Sequence, residues 1–248
     1  MVTNLPLQGQ NILVTRPEQQ SAELAELIIM QGGQPILFPV MDIEPLEIKS
    51  KQLAPLIQAD WLIFVSRNAV AHFVNMMPKE MAAHCQFAAV GNGTAQAMRD
   101  VGIHVHCQPT QSNGSDGLLE MPLMQQVSVK RVVIIRGKGG REHLAKTLIE
   151  RGASIDYIEV YERTISHPAE ALRQQALRVD KVLCTSVAGV DNLKKIMADD
   201  WLIFQRIPLV VVSDRIKQHA ADCGFNTVAV AANASDDAVI DMLTKMDN

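Results

Sequence analysis

Small, hydroxylic and cationic residues recur just after short apolar runs in this chain. They are Thr15-Arg16-Pro17, Ser66-Arg67-Asn68, Gly91-Asn92-Gly93-Thr94, Arg136-Gly137-Lys138-Gly139-Gly140-Arg141, Thr185-Ser186 and Ser213-Asp214. If each run is a strand leading into a helix, these residues sit at strand carboxyl ends and in first helical turns. A first turn has unpaired backbone N–H groups and the positive end of the helix dipole. Glycine or serine lets an anion approach that backbone closely. The chemistry on offer is therefore anion binding, at the end of the sheet where open α/β folds hold their ligands. The candidate binding residues are Arg16, Ser66, Asn68, Gly91, Asn92, Thr94, Arg136, Gly137, Lys138, Ser186 and Ser213.

Each has a plainer reading. Ser66, Ser186 and Ser213 serve equally well as helix N-caps. Arg16 and Arg136 end apolar strands, so each is either held in an ion pair or aimed at a ligand. Gly91-Asn92-Gly93 lacks the third glycine of a dinucleotide loop, and Gly137-Lys138-Gly139-Gly140 lacks the Lys-Ser/Thr ending of a phosphate loop. Among the seven histidines the only metal-like spacing is His104-x-His106, which reads as a surface strand pair. No nucleophile elbow or purposeful carboxylate pair is visible, so no metal and no cofactor are expected.

The elements that must position these residues repeat along the chain. Ile12-Leu13-Val14-Thr15-Arg16 returns 120 residues later as Val132-Val133-Ile134-Ile135-Arg136, Gly32 as Gly152, Leu62–Ser66 as Val182–Ser186, and Ser115-Asp116 as Ser235-Asp236. Val90-Gly91 returns at an offset of 122 as Val212-Ser213. This period is too long for a solenoid. Two copies of one α/β half are expected, facing each other across a cleft. Within each half, apolar runs alternate with amphipathic stretches, the pattern of parallel βα units. Strands are predicted at 11–15, 35–38, 61–65, 86–90, 103–107, 181–185, 208–212 and 226–230. Helices are predicted from Pro17 to Met30 and over 67–77, 93–101, 116–121, 187–198, 214–223 and 236–246. Gly32-Gly33 should end the first helix in left-handed geometry, and Ser112-Asn113-Gly114-Ser115 should cap the helix at 116. Two extended segments, Pro39–Pro45 and Ile158–Thr164, fit no βα unit and read as linkers that pair with each other.

Bulk composition narrows the class. A net charge of -4 over 248 residues argues against a dedicated nucleic-acid binder. Residues 130–151 nonetheless carry Lys130, Arg131, Arg136, Lys138, Arg141, Lys146 and Arg151 against Glu142 and Glu150 alone, which suits an anionic small molecule. No apolar run reaches the length of a membrane span, and no signal peptide is expected. Cys85, Cys107, Cys184 and Cys223 form no CxxC and read as reduced residues of a cytoplasmic protein.

Four segments, in this order and spacing, resemble uroporphyrinogen-III synthases: Ile12-Leu13-Val14-Thr15-Arg16-Pro17, Val90-Gly91-Asn92-Gly93-Thr94-Ala95, Ile135–Glu142 and Leu209-Val210-Val211-Val212-Ser213. Gly152-Ala153 and Val160-Tyr161-Glu162-Arg163 add to the likeness. The resemblance implies an α/β fold of two similar parallel-sheet domains joined by a two-stranded β-ladder, with a cleft between. One domain would be discontinuous, 1–38 with 165–248, the other 45–157, and the linkers 39–44 and 158–164. The implied reaction cyclises hydroxymethylbilane, a linear tetrapyrrole with eight carboxylates, with inversion of ring D through azafulvene and spiro intermediates, losing water. It implies Tyr161 as the acid, and Ser66, Gly91, Asn92, Thr94, Ser186 and Ser213 around the carboxylates. A monomer is expected, without membrane or nucleic acid, in transient contact with hydroxymethylbilane synthase. Two other classes compete: a non-catalytic two-domain protein binding an anionic small molecule, and a nucleotide-dependent oxidoreductase.

Overall fold

A computed structural model describes residues 5–77, 85–110 and 114–246. The chain separates into two compact units, Met1–Asp42 with Thr164–Asn248, and Ile43–Arg163. Each is an α/β unit built on one five-stranded sheet.

The first unit contains β1 (Asn11–Val14), α1 (Ala22–Met30), β2 (Gln34–Leu37), α7 (Glu170–Ala176), β8 (Lys181–Leu183), α8 (Val187–Met197), α9 (Trp201–Phe204), β9 (Leu209–Val211), α10 (Asp214–Asp222), β10 (Val228–Val230) and α11 (Asp236–Lys245). Its sheet order is β10-β9-β8-β1-β2, all parallel. The second unit contains β4 (Trp61–Phe64), α2 (Arg67–Phe73), β5 (Gln86–Ala89), α3 (Asn92–Asp100), α4 (Ser115–Glu120), α5 (Pro122–Gln125), β6 (Arg131–Gly137), α6 (His143–Glu150) and most of β7 (Ser154–Ile165). Its sheet runs β3-β7-β6-β4-β5, where β3 (Met41–Pro45) is the neighbour of β7.

The two repeats exchange strands. β1 and β2 from the first half pair with β8, β9 and β10 from the second. β6 and β7 from the second pair with β4 and β5 from the first. Among the described residues, the second unit has at the place equivalent to β10 a parallel bridge, Ala88 to Cys107, in place of a strand. The same joint recurs in both sheets. The Asp60 carboxylate accepts from Arg131 N at 2.8 Å, and the Asp180 carboxylate accepts from Asn11 N at 2.7 Å. Gly32 and Gly152 both have left-handed φ, +85° and +87°, and end the equivalent helices.

Strict alternation along the strands builds a core on each face of each sheet. In the first unit Leu13, Val182, Leu209 and Val211 face one layer, and Ile12, Val14, Leu183 and Val210 the other. In the second, Leu62, Phe64, Val133 and Ile135 face one side, and Trp61, Ile63, Val132 and Ile134 the other.

Several local expectations are corrected. Pro17 does not open one helix: it precedes a 3-10 turn at Glu18–Gln20, and α1 starts after Ser21, whose hydroxyl donates to Pro17 O at 3.1 Å. Of Gly32-Gly33 only Gly32 is left-handed. No strand forms at 103–107, because His106 N and Cys107 N both turn to Phe87 O instead of forming a ladder. The helix expected at 67–77 tightens after Phe73 into a 3-10 turn, Val74–Met76. Gly114, with φ +96°, is the N-cap of α4 and offers no side chain; Pro78, Ser112 and Asn113 lie outside the described residues. Helices α5, α7 and α9 are short and gave no signal, and the 3-10 run at Ser50–Gln58, with Pro55 inside it, was not anticipated.

Candidate functional site

A cavity of about 490 Å³ opens in the second unit, beyond the carboxyl ends of β4, β5 and β6. That volume lies within the usual range for small-molecule pockets. Ser66, Arg136, Gly137 and Tyr161 line it, with Gly139, Gly140, Arg141 and Arg163.

Tyr161 is delivered there by a bulge. β7 runs parallel to β6 in register up to Arg136 opposite Glu159, and then Gly137 faces Tyr161, leaving Val160 as the extra residue. A bulge re-aims the side chains that follow it. Val160 and Tyr161 thus both point into the same core layer, where simple alternation would have separated them. The Tyr161 ring fills the space over Gly137, and Lys138 N donates to Tyr161 O at 2.8 Å. The residue is only 1% exposed, so its hydroxyl needs partners. It has two: Ser66 Oγ at 3.1 Å, and Arg163 Nη2, which donates to Tyr161 Oη at 3.1 Å.

Ser66 takes the capping role and also reaches the tyrosine. It is the N-cap of α2, accepting from Ala69 N at 3.0 Å, and it touches the Tyr161 hydroxyl. Ser186 and Ser213 cap α8 and α10, accepting from Gly189 N and Ile216 N. Asn68 lies in the first turn of α2. Gly91 is the N-cap of α3; Asn92 is exposed and accepts from Gln108 Nε2 at 3.2 Å; Thr94 is buried in the same turn. Asn68, Gly91, Asn92, Thr94 and Lys138 are not in the wall of the cavity, and Arg16, Ser186 and Ser213 belong to the other unit.

The strand-end arginines are ion-paired. Arg16 meets Asp236 at 2.5 Å. Arg136 donates to Glu159 at 3.1 Å, to Glu142 at 2.7 Å and to Gly140 O at 3.3 Å, and stacks 3.8 Å from the Tyr157 ring centroid. Burial works against the Arg136 charge, but the Glu142 and Glu159 hydrogen bonds outweigh it and leave the group above its ordinary value. Lys138 pairs with Glu162 at 3.0 Å. Among the described residues, Arg141 and Arg163 are the lining cations without a carboxylate partner. Arg163 was overlooked in the sequence, although its spacing of two from Tyr161 on a strand places both on one face.

The other tyrosine is committed elsewhere. Tyr157 donates to Glu142 Oε2, and burial together with that carboxylate pushes its phenol up to about 12. His106 is also occupied: its Nδ1 accepts from Phe87 N at 3.1 Å, and burial, with His104 nearby, lowers its pKa. That removes the His104-x-His106 spacing as a ligand pair.

Known proteins place this architecture. The family profile described as Uroporphyrinogen-III synthase HemD matches residues 22–241. The uroporphyrinogen-III synthase of Escherichia coli K12 is 32% identical over 243 residues, covering 93% of this chain and 98% of its own length. That of Salmonella typhimurium LT2 is 30% identical over the same coverage. A crystal structure of uroporphyrinogen-III synthetase from Helicobacter pylori 26695 superimposes with a TM-score of 0.63, covering 94% of this chain and 98% of that one; at 15% identity the likeness is one of fold. The chain belongs to the uroporphyrinogen-III synthase family.

Proposed function

We propose that the cavity around Tyr161 holds the reacting end of hydroxymethylbilane while the chain cyclises it to uroporphyrinogen III. The observation that carries this reading is the Tyr161 hydroxyl on the cavity wall, held between Ser66 Oγ and Arg163 Nη2.

The pyrrole nitrogen of the substrate pushes out the hydroxymethyl oxygen, so the leaving step needs little more than a proton. In the orientation where Ser66 and Arg163 both donate to Tyr161 Oη, the phenol proton is free to turn to the substrate. It leaves with the hydroxyl as water, and an azafulvene cation remains. The Arg163 donor stabilises the negative charge left on Tyr161. Ring D attacks through its substituted carbon to give the spiro intermediate, which opens and recloses with that ring inverted. The ring-carbon proton shed on rearomatisation returns to Tyr161. The balance is one water lost and no net change in the protein. Without the protein the substrate closes uninverted to the I isomer, so the main task is to hold one conformation, a positioning effect. Backbone amides at the heads of α2 and α3 are assigned to substrate carboxylates, with Ser66, Asn68, Gly91, Asn92 and Thr94 as the residues there; Ser186 and Ser213 hold the equivalent positions at the heads of α8 and α10. Arg141 supplies charge.

The same reading takes the chain as a cytoplasmic monomer that receives its substrate through transient contact with hydroxymethylbilane synthase. The support is chemical: a substrate that closes spontaneously gains from a short passage. Incubating the protein with hydroxymethylbilane and resolving the I and III isomers by chromatography tests the activity. Predominant III isomer is expected; I isomer at the uncatalysed rate overturns it.

A further inference from the structure

We propose that Asp191, His219 and Cys223 form a binding site for a single first-row transition cation of the zinc type, clamping α8 to α10. The site is separate from the cavity around Tyr161, and nothing in the cyclisation uses it.

Three unlike donors converge on one point from two helices. His219 and Cys223 are four residues apart on one face of α10 and its C-cap, and Asp191 comes from α8. Both helices follow parallel strands. Asp191 lies five residues past Ser186 and His219 six past Ser213, which brings them to the same level. Asp191 Oδ1 is 2.7 Å from Nε2 of His219, and Cys223 Sγ is 3.7 Å from the same nitrogen. All three donor atoms lie within 4.8 Å of one another.

The shared nitrogen decides between two readings. A nucleophile–base–carboxylate relay needs both ring nitrogens, one towards the thiol and one towards the acid. Here thiol and carboxylate face a single nitrogen, so the ring cannot pass a proton from one to the other. Convergence on one point is what a cation needs. A tetrahedral zinc ion with ordinary bond lengths sets N and S about 3.6 Å apart and N and O about 3.4 Å apart. The sulfur is already there. The carboxylate must draw back by roughly 0.7 Å on that geometry, and Asp191, with 45% of its side chain exposed, has room to do so. Imidazole, thiolate and carboxylate together suit zinc or cobalt better than magnesium or calcium. All three residues are partly exposed, so a cation can reach them from solvent.

The surroundings fit. Trp201 Nε1 donates to Cys223 O at 3.0 Å and fixes the backbone beneath the sulfur. The charges around the thiol are Lys194, which opposes a cation, and Asp191 and Asp222, which favour one. Burial, against Lys194 and with both carboxylates, holds the metal-free thiol above its ordinary value, so binding releases a proton.

The test is a titration of the reduced full chain with Co²⁺, followed by the near-ultraviolet thiolate-to-cobalt charge-transfer band. One equivalent should bind with that band, and Zn²⁺ should displace it. Cys223→Ser should abolish the band, and His219→Gln and Asp191→Asn should each weaken binding at least about tenfold, while Cys85→Ser keeps it. Zn²⁺ should raise the Tm of the parent chain and not that of Cys223→Ser. A parent chain with no band at stoichiometric cobalt, or a band that survives in Cys223→Ser, overturns the site.

Discussion

A β-carbon placed on Gly137 would fall 2.4 Å from Cε2 and 2.5 Å from Cζ of Tyr161. Glycine at 137 is therefore what admits the tyrosine ring. Gly137→Ala should push the ring off its Ser66 and Arg163 partners, lower turnover by at least about tenfold, and cost about 1–3 kcal/mol of stability as an overpacked core does. Rate of III-isomer formation and thermal melts measure the two effects. Full activity in Gly137→Ala would show that the position of the ring does not matter.

Ser66 and Ser235 both cap helices through their hydroxyls, but only Ser66 touches Tyr161. Ser66→Ala and Ser235→Ala should each cost about 1 kcal/mol, the usual loss of a cap. Only Ser66→Ala should also lower kcat. Equal kinetic effects in the two variants would reduce Ser66 to a cap.

Arg136, Lys138 and Arg141 of the glycine-rich segment, and Arg163 on β7, should separate by partner. Arg136 is held by Glu142, Glu159 and Gly140 O, and Lys138 by Glu162. Arg136→Gln is expected to lower Tm while KM stays near that of the parent. Arg141→Gln should raise KM with kcat little changed, the mark of uniform binding. Arg163→Met should do the reverse, lowering kcat and altering its pH profile, because that side chain acts through Tyr161. KM and kcat across a pH series distinguish the three; a KM effect confined to Arg136 would contradict this assignment.

Asp60 accepts from Arg131 N and Lys130 Nζ, and that backbone bond, partly opposed by burial, holds its carboxyl below its ordinary value of 3.8. A carboxyl lowered on folding contributes stability above its unfolded value and loses it as pH falls through the folded one. Asp60→Asn should therefore melt lower than the parent at neutral pH, and the gap should close once pH drops well below 3.8. Melting curves at several pH values measure it; a gap independent of pH would remove Asp60 as the cause.

The repeat made much of the fold legible. Matching Ile12–Arg16 with Val132–Arg136 identifies equivalent strands, since buried parallel strands read as plain apolar runs. Period alone does not say that the halves exchange strands, because βα units look the same whichever neighbour they pair with. In the site, Ser66 and Gly137 were readable by type and place and Tyr161 through the family resemblance, but the bulge at Val160 was not. A bulge leaves no composition mark, and it decides which face Tyr161 takes. The roles of Arg16 and Arg136 depended on partners distant in sequence, Asp236 for one and Glu159 for the other. The Asp191–His219–Cys223 group went unseen because Asp191 comes from a second helix, and the spacing of four between His219 and Cys223 was not singled out.

The central claim is that the Tyr161 hydroxyl supplies the proton for the departing hydroxyl of hydroxymethylbilane. Tyr161→Phe removes one oxygen and leaves the ring in its place over Gly137, so Tm should change little. General acids contribute about 10²–10⁴-fold, and the low end is expected because the pyrrole already activates the leaving group. The direct measurement is the initial rate and isomer ratio of Tyr161→Phe beside the parent chain at saturating hydroxymethylbilane. The account predicts a turnover reduced about a hundredfold, with similar product affinity and a larger share of I isomer from spontaneous closure. A variant that forms III isomer at the parent rate would contradict it.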